Sequence, residues 1–402
     1  MKKVMVIGCP GSGKSTFSRM LVKVTNIPLY HLDNMYWNSD KTIKEKSVFL
    51  KSLNNTIQKE KWIIDGNYHS TLELRLQACD TIIFLDYPLE ICLKGIEERR
   101  GKPRNDIPWI ETEEDEELTK SVKNFNQQVR PQIIELLNQY SNKEIYVFKN
   151  RNEAYRYLWE LEEKQAFIHG WDFSHINDRY CEQEDLPWSY FDKIQTYLED
   201  DMKLLDYDTG GGEFLLTLHH PYELTSATEG YKPNVELSKE TLLPLGIHFK
   251  ECSDASSLPF EKNSFDMMIN RHGDFDAKEI YRVLKENGLF ITQQVGEDND
   301  RDLVERVLPN TPKPFPHMNL KEQREEFIKE GFEILEEDEV YRPIRFYDIG
   351  AFVWFAHIIE WEFPNFSVDK CFDQLLELQK EIDEKGYIEG TIHRYFIVAL
   401  KR

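Results

Sequence analysis

The chain has 402 residues, of which 40% are hydrophobic and 13% aromatic, and its formal net charge is −22. This composition excludes a disordered chain, and the length favours two or three domains, because one domain takes roughly 150 residues. Residues 1–165 carry 25 Lys and Arg against 24 Asp and Glu, whereas the remainder carries 25 against 48. Such an acidic second half disfavours DNA or large RNA as its substrate, since phosphate binding needs a basic surface.

The sequence contains no apolar run near the ~20 residues of a membrane span, and Met1-Lys2-Lys3 leads into an apolar stretch without a cleavable signal. Its six cysteines are scattered, with neither a Cys-x-x-Cys pair nor histidines at metal-binding spacing. We therefore expect a cytoplasmic protein without membrane association, zinc or disulfides.

The first half alternates short apolar strands with helices. Strands are predicted at 4–7, 28–32, 62–64, 81–85 and 145–148. Helices are predicted at 14–24, 44–59, 71–77, 88–99, 115–140 and 152–163. Continuous apolar strands between helices predict a parallel sheet covered on both faces. We assign residues 1–165 to this first domain.

A phosphate-binding P-loop directly follows the first strand, as Gly-Cys-Pro-Gly-Ser-Gly-Lys-Ser at residues 8–15. Backbone N–H groups of such a turn, with the start of the next helix, bind di- or triphosphates. We expect Lys14 to reach the β- and γ-phosphates of ATP and Ser15 to bind Mg²⁺. The alternative is a glycine-rich turn that binds nothing. The other predicted cofactor-binding residues here are Gly8, Gly11, Ser12, Gly13 and Thr16.

Aspartates follow three of the predicted strands, at Asp33, Asp65 and Asp86. Ligands bind at the carboxyl ends of parallel strands, where a carboxylate can hold Mg²⁺ or accept a proton from an attacking hydroxyl. We assign Asp33 to catalysis and Asp65 to the metal. In each case the alternative is an aspartate that only caps a turn.

Arginines are needed to neutralise charge on a transferring phosphoryl group. Arg99 and Arg100 begin a basic cluster that reaches Arg104 and precedes an acidic stretch, as in a mobile lid. Arg75 and Arg130 are further candidates. The alternative is that the basic run is a solvated surface.

Residues 1 to about 158 resemble the adenylate-kinase-related P-loop proteins of the topology modulation (FlaR-like) group. The shared features are the P-loop, His31-Leu32-Asp33, Trp62-Ile63-Ile64-Asp65-Gly66-Asn67-Tyr68, residues 80–88 and Arg99-Arg100. The resemblance implies a kinase fold with a lid, acting on a nucleotide or another small molecule. It does not identify the phosphate acceptor.

The second half, residues 166–402, begins with the stretch 166–187, which lacks periodicity and marks the boundary. A helix is predicted at 188–199, and strands at 203–206, 225–228, 247–249, 265–269 and 289–292. A terminal strand at 391–400 is expected to pair with 332–339 as an antiparallel edge. The fold class is therefore α/β, with two doubly wound domains.

A second glycine turn, Asp206-Tyr207-Asp208-Thr209-Gly210-Gly211-Gly212, lies between a strand and a helix and has no P-loop lysine. It resembles the first motif of class I S-adenosylmethionine (SAM)-dependent methyltransferases. In that family a glycine usually stands where this chain has Asp208, a residue that tolerates unusual backbone angles. The resemblance covers about residues 170–400 and assigns Asp206, Gly210 and Gly212 to the cofactor.

Three further segments match that family in order. Glu229 ends the next strand, where an acidic side chain accepts both ribose hydroxyls. Asp254 and Ala255 match the adenine-contacting segment, and residues 279–290 match the approach to the fifth strand. An NAD-binding Rossmann domain is the alternative. His272 is assigned to the cofactor site, where it could face the methyl group or be a hydrogen-bonded loop residue, and the aromatic stretch 346–361 forms either a substrate cover or plain core.

These patterns predict a fused enzyme, an ATP- and Mg²⁺-dependent small-molecule kinase joined to a SAM-dependent methyltransferase. Its partners would be small-molecule acceptors for phosphate and methyl groups. The alternative is a nucleic-acid-acting regulator or RNA methyltransferase in which the P-loop half only senses nucleotide. Salt-sensitive binding to RNA or DNA would distinguish the two.

Overall fold

A computed structural model describes residues 1–104, 106–168, 172–182 and 186–402. Parts of the expected boundary stretch, 169–171 and 183–185, lie outside these residues. The chain divides into two compact units, 1–167 with 367–372 and 168–366 with 373–402. None of the described helices is both long and apolar enough to cross a bilayer.

The first unit contains a sheet whose strands are all parallel, as predicted. Its strands are β1 Lys3–Gly8, β2 Leu29–His31, β3 Trp62–Asp65, β4 Thr81–Leu85 and β5 Glu144–Phe148. Their order is β2-β3-β1-β4-β5. The chain leaves β1 towards β2 on one side and leaves β4 towards β5 on the other, so a crevice lies at the carboxyl ends of β1 and β4.

Helices connect these strands. They are α1 Lys14–Thr25, α2 Leu32–Tyr36, α3 Lys46–Ile57, α4 Leu72–Ala78, α5 Leu89–Glu98, α6 Glu116–Gln128, α7 Arg130–Gln139 and α8 Arg151–Gln165. The predicted single helix 115–140 was wrong, because the chain breaks at Val129, just before Pro131. Proline lacks an N–H donor and its ring clashes with the preceding turn. The short helix α2 was not predicted.

The second unit contains a mixed sheet. Its strands are β6 Tyr180–Glu182, β7 Leu204–Asp206, β8 Thr225–Glu229, β9 His248–Glu251, β10 Phe265–Arg271, β11 Leu284–Val295, β12 Phe332–Phe346 and β13 Ile388–Lys401. Their order is β6-β12-β13-β11-β10-β7-β8-β9. Strands β7 to β11 are parallel, and the predicted antiparallel edge is confirmed by β13, which pairs with both β11 and β12. The connections diverge from β7 and β10, so a second crevice lies at the ends of these neighbouring strands.

The helices of the second half are α9 Tyr190–Tyr197, α10 Glu213–Thr217, α11 Lys232–Thr241, α12 Ala277–Val283, α13 Arg301–Val307, α14 Leu320–Lys329, α15 Ile349–Ile358 and α16 Val368–Lys385. The aromatic stretch contributes α15, whose residues 349–356 are all buried. For this helix, core packing is therefore the better of the two interpretations. The start of α15 is capped by a neighbouring side chain, because Asp348 Oδ1 accepts a hydrogen bond from the N–H of Ala351.

Both faces of the second sheet are packed. Leu204 and Met267 belong to one hydrophobic cluster, while their neighbours Leu205 and Met268 belong to another. Successive side chains of a strand point to opposite faces, so both faces are covered. The chain is thus an α/β protein with one parallel and one mixed sheet.

Candidate functional site

The P-loop turn connects β1 to α1. Gly13 precedes α1 in the left-handed conformation, with φ 87°, and a Cβ there would meet no atom within 4 Å. In the described part of the chain, the N–H groups of Gly11, Gly13, Lys14 and Ser15 have no hydrogen-bond acceptor. The turn therefore leaves several N–H donors without a protein acceptor at the start of a helix, which suits an anion.

The remaining P-loop residues have other surroundings. Ser12 is buried, its N–H donates to Cys9 O at 3.1 Å, and its Oγ has no partner among the described residues. Thr16 is exposed and its Oγ1 accepts from Arg19.

Lys14 lies over the turn itself. Its Nζ donates to Gly8 O at 3.0 Å and to Cys9 O at 3.1 Å. Burial lowers the pKa of Lys14. The negative charges of Asp65 and Asp33 raise this pKa in part, and the positive charge of Arg99 lowers it further. Asp33, Asp65 and Arg99 thus all act electrostatically on the predicted P-loop lysine.

Ser15 has a carboxylate partner that we did not predict. Its Oγ donates to Asp106 Oδ2 at 2.7 Å, and Asp106 is also paired with Arg104. Burial raises the pKa of Asp106, but the hydrogen bonds from Arg104 and Ser15 outweigh it and hold the pKa well below its usual range. Asp106 therefore lies ionised beside the residue expected to bind Mg²⁺.

Among the described residues, no three His, Cys, Asp or Glu side chains come together as a metal site. Mg²⁺ at phosphate sites usually keeps waters and takes only one or two protein oxygens. Ser15 and Asp106 supply such oxygens. The other predicted metal ligand, Asp65, is buried, and its Oδ1 lies 2.8 Å from Nδ1 of His31, within hydrogen-bond distance.

The segment after β3 holds the P-loop in place. Asn67 Nδ2 donates to Gly8 O at 2.7 Å, and Gly8 N–H donates to Asn67 Oδ1 at 3.1 Å. Arg75 is fully buried, and its guanidinium donates to the carbonyls of Gly66, Asn67 and Tyr68. Arg75 thus organises the loop rather than facing a phosphate.

Asp33 lies in α2, close to this segment. Its Oδ1 accepts from Tyr68 Oη at 2.7 Å. Burial raises the pKa of Asp33, while the hydrogen bond from Tyr68 and the charge of Lys14 act against this. A partly buried carboxylate near the P-loop lysine is suitable as a proton acceptor.

The arginines differ in their surroundings. Arg99 pairs with Glu111 at 2.9 Å, and its charge acts on Lys14, whereas Arg100 is exposed. Arg130 makes two hydrogen bonds to Asp86, at 2.7 and 2.8 Å. Of these three arginines, Arg99 is the one whose charge acts on Lys14, while Arg130 shares Asp86 with Lys149.

A surface depression of about 530 Å³ lies between β2, α2 and α3. Its lining includes Tyr30, His31, Asn34, Lys44 and Lys59. His31 connects it to Asp65, so the depression adjoins the P-loop site.

In the second unit, the glycine turn follows β7. Asp208 and Gly210 have φ 61° and 66°, and a Cβ at Gly210 would meet no atom within 4 Å. Ser238 Oγ and Thr241 Oγ1 of α11 donate to the carbonyls of Gly210 and Gly211. Asp208 thus adopts the left-handed conformation without disrupting the turn, and Gly212 precedes α10 in the same conformation.

Glu229 ends β8 and faces this turn. Its Oε2 accepts from Gly210 N–H at 2.8 Å, and its Oε1 accepts from the N–H groups of Gly230 and Tyr231 at 2.8 and 2.7 Å. A carboxylate has about four acceptor positions. A side-chain hydrogen bond with Asp208 takes the fourth position, so a ribose hydroxyl would replace one of the partners with which Glu229 fixes the turn.

Two aspartates of the turn have raised pKa values. Burial raises the pKa of Asp206 to about 7, with the hydrogen bond from Thr209 acting against it. Burial raises the pKa of Asp208 to about 7 as well, and the charge of Glu229 adds to this. The turn is therefore an acidic site that gains from a cationic ligand.

The predicted adenine segment is a loop after β9. Asp254 is exposed, and its Oδ1 accepts from Ser256 N–H and Oγ, which leaves Oδ2 for a ligand; Ala255 is half-buried beside it. Glu279, whose role we did not predict, accepts from Leu258 N–H at 2.7 Å and pairs with Arg282. Glu279 thereby holds the loop after β9 in place.

His272 follows β10 with φ 63°, and its N–H donates to Gln293 O at 2.9 Å. The buried Asn270 donates to Tyr207 O at 2.9 Å and accepts from Gln294 Nε2 at 2.5 Å. Asn270 and Gln294 thus connect the ends of β10 and β11 to the turn. No sequence motif singled them out.

The comparisons with protein-family models and with curated proteins give no match. Among solved structures, the YcgJ protein from Bacillus subtilis is 20% identical with TM-score 0.38, covering 53% of this chain and 98% of that chain. A functionally unknown protein from Deinococcus radiodurans R1 is 15% identical with TM-score 0.39, covering 62% and 100%. A SAM-dependent methyltransferase from Methanosarcina mazei is 20% identical with TM-score 0.33, covering 52% and 96%. Likeness at these identities and TM-scores carries no argument about the activity of this chain.

Proposed function

We propose that the chain is a two-domain transferase, with an ATP-dependent phosphotransferase in its first unit and a SAM-dependent methyltransferase in its second. One observation carries the proposal. In each unit a left-handed glycine, Gly13 or Gly210, faces open space beside the strand ends where the sheet connections diverge. Such crevices are where doubly wound sheets bind nucleotides.

In the first unit, the free N–H groups of the P-loop would hold the phosphates of ATP. Lys14 would exchange the carbonyls of Gly8 and Cys9 for phosphate oxygens, a gain in charge pairing. Mg²⁺ held by Ser15 and Asp106 would withdraw charge from those oxygens. Asp33 would accept the proton of the acceptor hydroxyl, and Arg99 would neutralise charge that develops on the transferred group.

In the second unit, the turn 206–212 would hold the methionine part of SAM. Glu229 would accept from the ribose and Asp254 from the adenine amine. The raised pKa values of Asp206 and Asp208 support a cationic ligand at this turn. Methyl transfer can proceed by positioning, so these residues need only bind and orient.

The test is product detection. The full chain is incubated with ATP, Mg²⁺, SAM and a metabolite extract, and mass spectrometry seeks molecules that gain a phosphoryl or a methyl group. The Lys14→Ala variant should lose only phosphorylated products, and Glu229→Ala only methylated ones. If both reactions are absent and the chain instead binds RNA or DNA in a salt-sensitive manner, the nucleic-acid alternative replaces this proposal.

A further inference from the structure

Arg271 is the last residue of β10 and lies beside the glycine turn of the second unit. Its guanidinium carbon is 4.6 Å from the ring centroid of Phe214, the second residue of the helix that follows this turn. A cation–π contact of this kind holds the guanidinium over α10.

The backbone on both sides of Arg271 also contacts the turn. Before it, Ile269 of β10 pairs with Asp206 of β7. After it, Gly273 leaves no room for a side chain, because a Cβ there would lie 2.4 Å from Asp208 Oδ2. The strand before Arg271, the loop after it and its own side chain therefore all contact the glycine turn or the helix that follows it.

The positive charge of Arg271 acts on this acidic turn. Burial raises the pKa of Asp206 to about 7, and the hydrogen bond from Thr209 and the charge of Arg271 lower it in part. Arg271 and His272 are both exposed, so this side of the turn is open to a ligand. Arg271 is therefore an accessible cation beside the acidic turn.

The methionine part of SAM carries two positive charges and one negative charge. Its sulfonium and its ammonium suit the turn, where Asp206, Asp208 and Glu229 act on one another as like charges. Its carboxylate would be repelled by these acids unless a cation accompanied it. A guanidinium binds a carboxylate through two parallel N–H donors, so Arg271 supplies the partner that the acids of the turn cannot.

We propose that Arg271 binds the carboxylate of the methionine part of SAM and makes the second unit selective for the complete amino-acid cofactor. The inference rests on the proposed function, because it adds a specificity residue to the proposed SAM site. The role of Arg271 is binding alone, and no covalent bond forms or breaks at it.

The experiment titrates the full chain by calorimetry with SAM and with decarboxylated SAM, in which a hydrogen atom replaces the carboxylate. The parent chain should bind SAM about 10- to 100-fold more tightly, because only SAM forms charge-assisted hydrogen bonds with the guanidinium. Equal affinity of the parent for the two compounds would overturn the proposal.

The Arg271→Met variant should lose this preference. It should bind SAM about 10- to 100-fold more weakly than the parent does. Decarboxylated SAM should bind at least as tightly as to the parent, because a positive charge beside this cationic compound is removed. Arg271→Lys should keep part of the preference, since an ammonium pairs with a carboxylate without the bidentate geometry.

The control is Arg345→Met, which should bind both compounds as the parent does. Arg345 is a surface arginine whose guanidinium carbon lies 4.8 Å from the ring centroid of Tyr387. It therefore matches the cation–π contact of Arg271 away from the glycine turn. Thermal unfolding of Arg271→Met without ligand should match that of the parent, because the residue is exposed. An equal loss of both affinities, or a lower Tm without ligand, would mean that Arg271 supports the fold instead.

The two proposals fail separately. A parent chain that binds SAM and decarboxylated SAM equally keeps its proposed SAM site and overturns only the role of Arg271. A parent chain that binds neither compound refutes the methyltransferase and the role of Arg271 together.

Discussion

Asn67 and Gly8 exchange two hydrogen bonds: Gly8 N–H donates to Asn67 Oδ1 at 3.1 Å, and Asn67 Nδ2 donates to Gly8 O at 2.7 Å. One side chain thereby joins the end of β1 to the loop after β3. Because Lys14 also donates to Gly8 O, the position of the P-loop depends on this pair.

Replacing Asn67 by alanine should therefore weaken both the fold and nucleotide binding. Loss of two hydrogen bonds in a partly buried place should lower the free energy of unfolding by about 1–3 kcal/mol. Urea unfolding and ATP titration check this. The exposed Asn54→Ala is the matched control, and equal behaviour of the two variants would contradict the role of Asn67.

Replacing Asp33 by asparagine should depress phosphoryl transfer more than ATP affinity. In the proposed reaction this carboxylate acts on the acceptor hydroxyl, and general-base catalysis contributes about 10²–10⁴-fold. Steady-state rates and ATP titration separate the two effects, with the exposed Glu73→Gln as control. An equal loss of ATP affinity would instead make Asp33 a metal ligand.

Asp208 should make stability depend on pH. Burial raises its pKa to about 7 in the folded chain, whereas an unfolded aspartate has a pKa of about 3.9. The protonated group thus contributes stability that is complete below about pH 4 and is lost as pH rises through about 7.

Asp208→Asn removes this titration. The free energy of unfolding of the variant minus that of the parent chain should rise by ~2 kcal/mol as the pH is raised from 5 to 8. Denaturant unfolding at each pH measures the difference, and the exposed Asp201→Asn should show none. A difference that does not change with pH would place Asp208 outside this account.

Glu229→Ala should weaken SAM binding by about 1–3 kcal/mol, the cost of leaving ribose hydroxyls without their charged acceptor. It should also lower Tm, because Glu229 accepts three backbone N–H bonds. Calorimetry and thermal unfolding check both effects, with the exposed Glu223→Ala as control. Unchanged SAM affinity would remove Glu229 from the site.

The strands and the two glycine turns could be predicted from the sequence because their signals are local. Apolar runs such as Val4–Ile7 are strand-length, and glycines mark the turns that follow. The break before Pro131 is local as well, but the helical periodicity on both sides of it predicts one continuous helix.

The partners of the site residues could not be predicted, because they depend on contacts distant in sequence. Asp106 meets Ser15 across 91 residues, and Arg130 meets Asp86 across 44. Such pairings follow from sheet order, which the sequence pattern leaves open.

The most direct test of the central claim titrates the full chain with ATP-Mg²⁺ and with SAM by calorimetry, using the parent, Lys14→Ala and Glu229→Ala. We expect one site for each ligand in the parent, with ATP binding lost only in Lys14→Ala and SAM binding weakened only in Glu229→Ala. If the parent fails to bind either ligand, or either variant loses both, the account of two separate cofactor sites is contradicted.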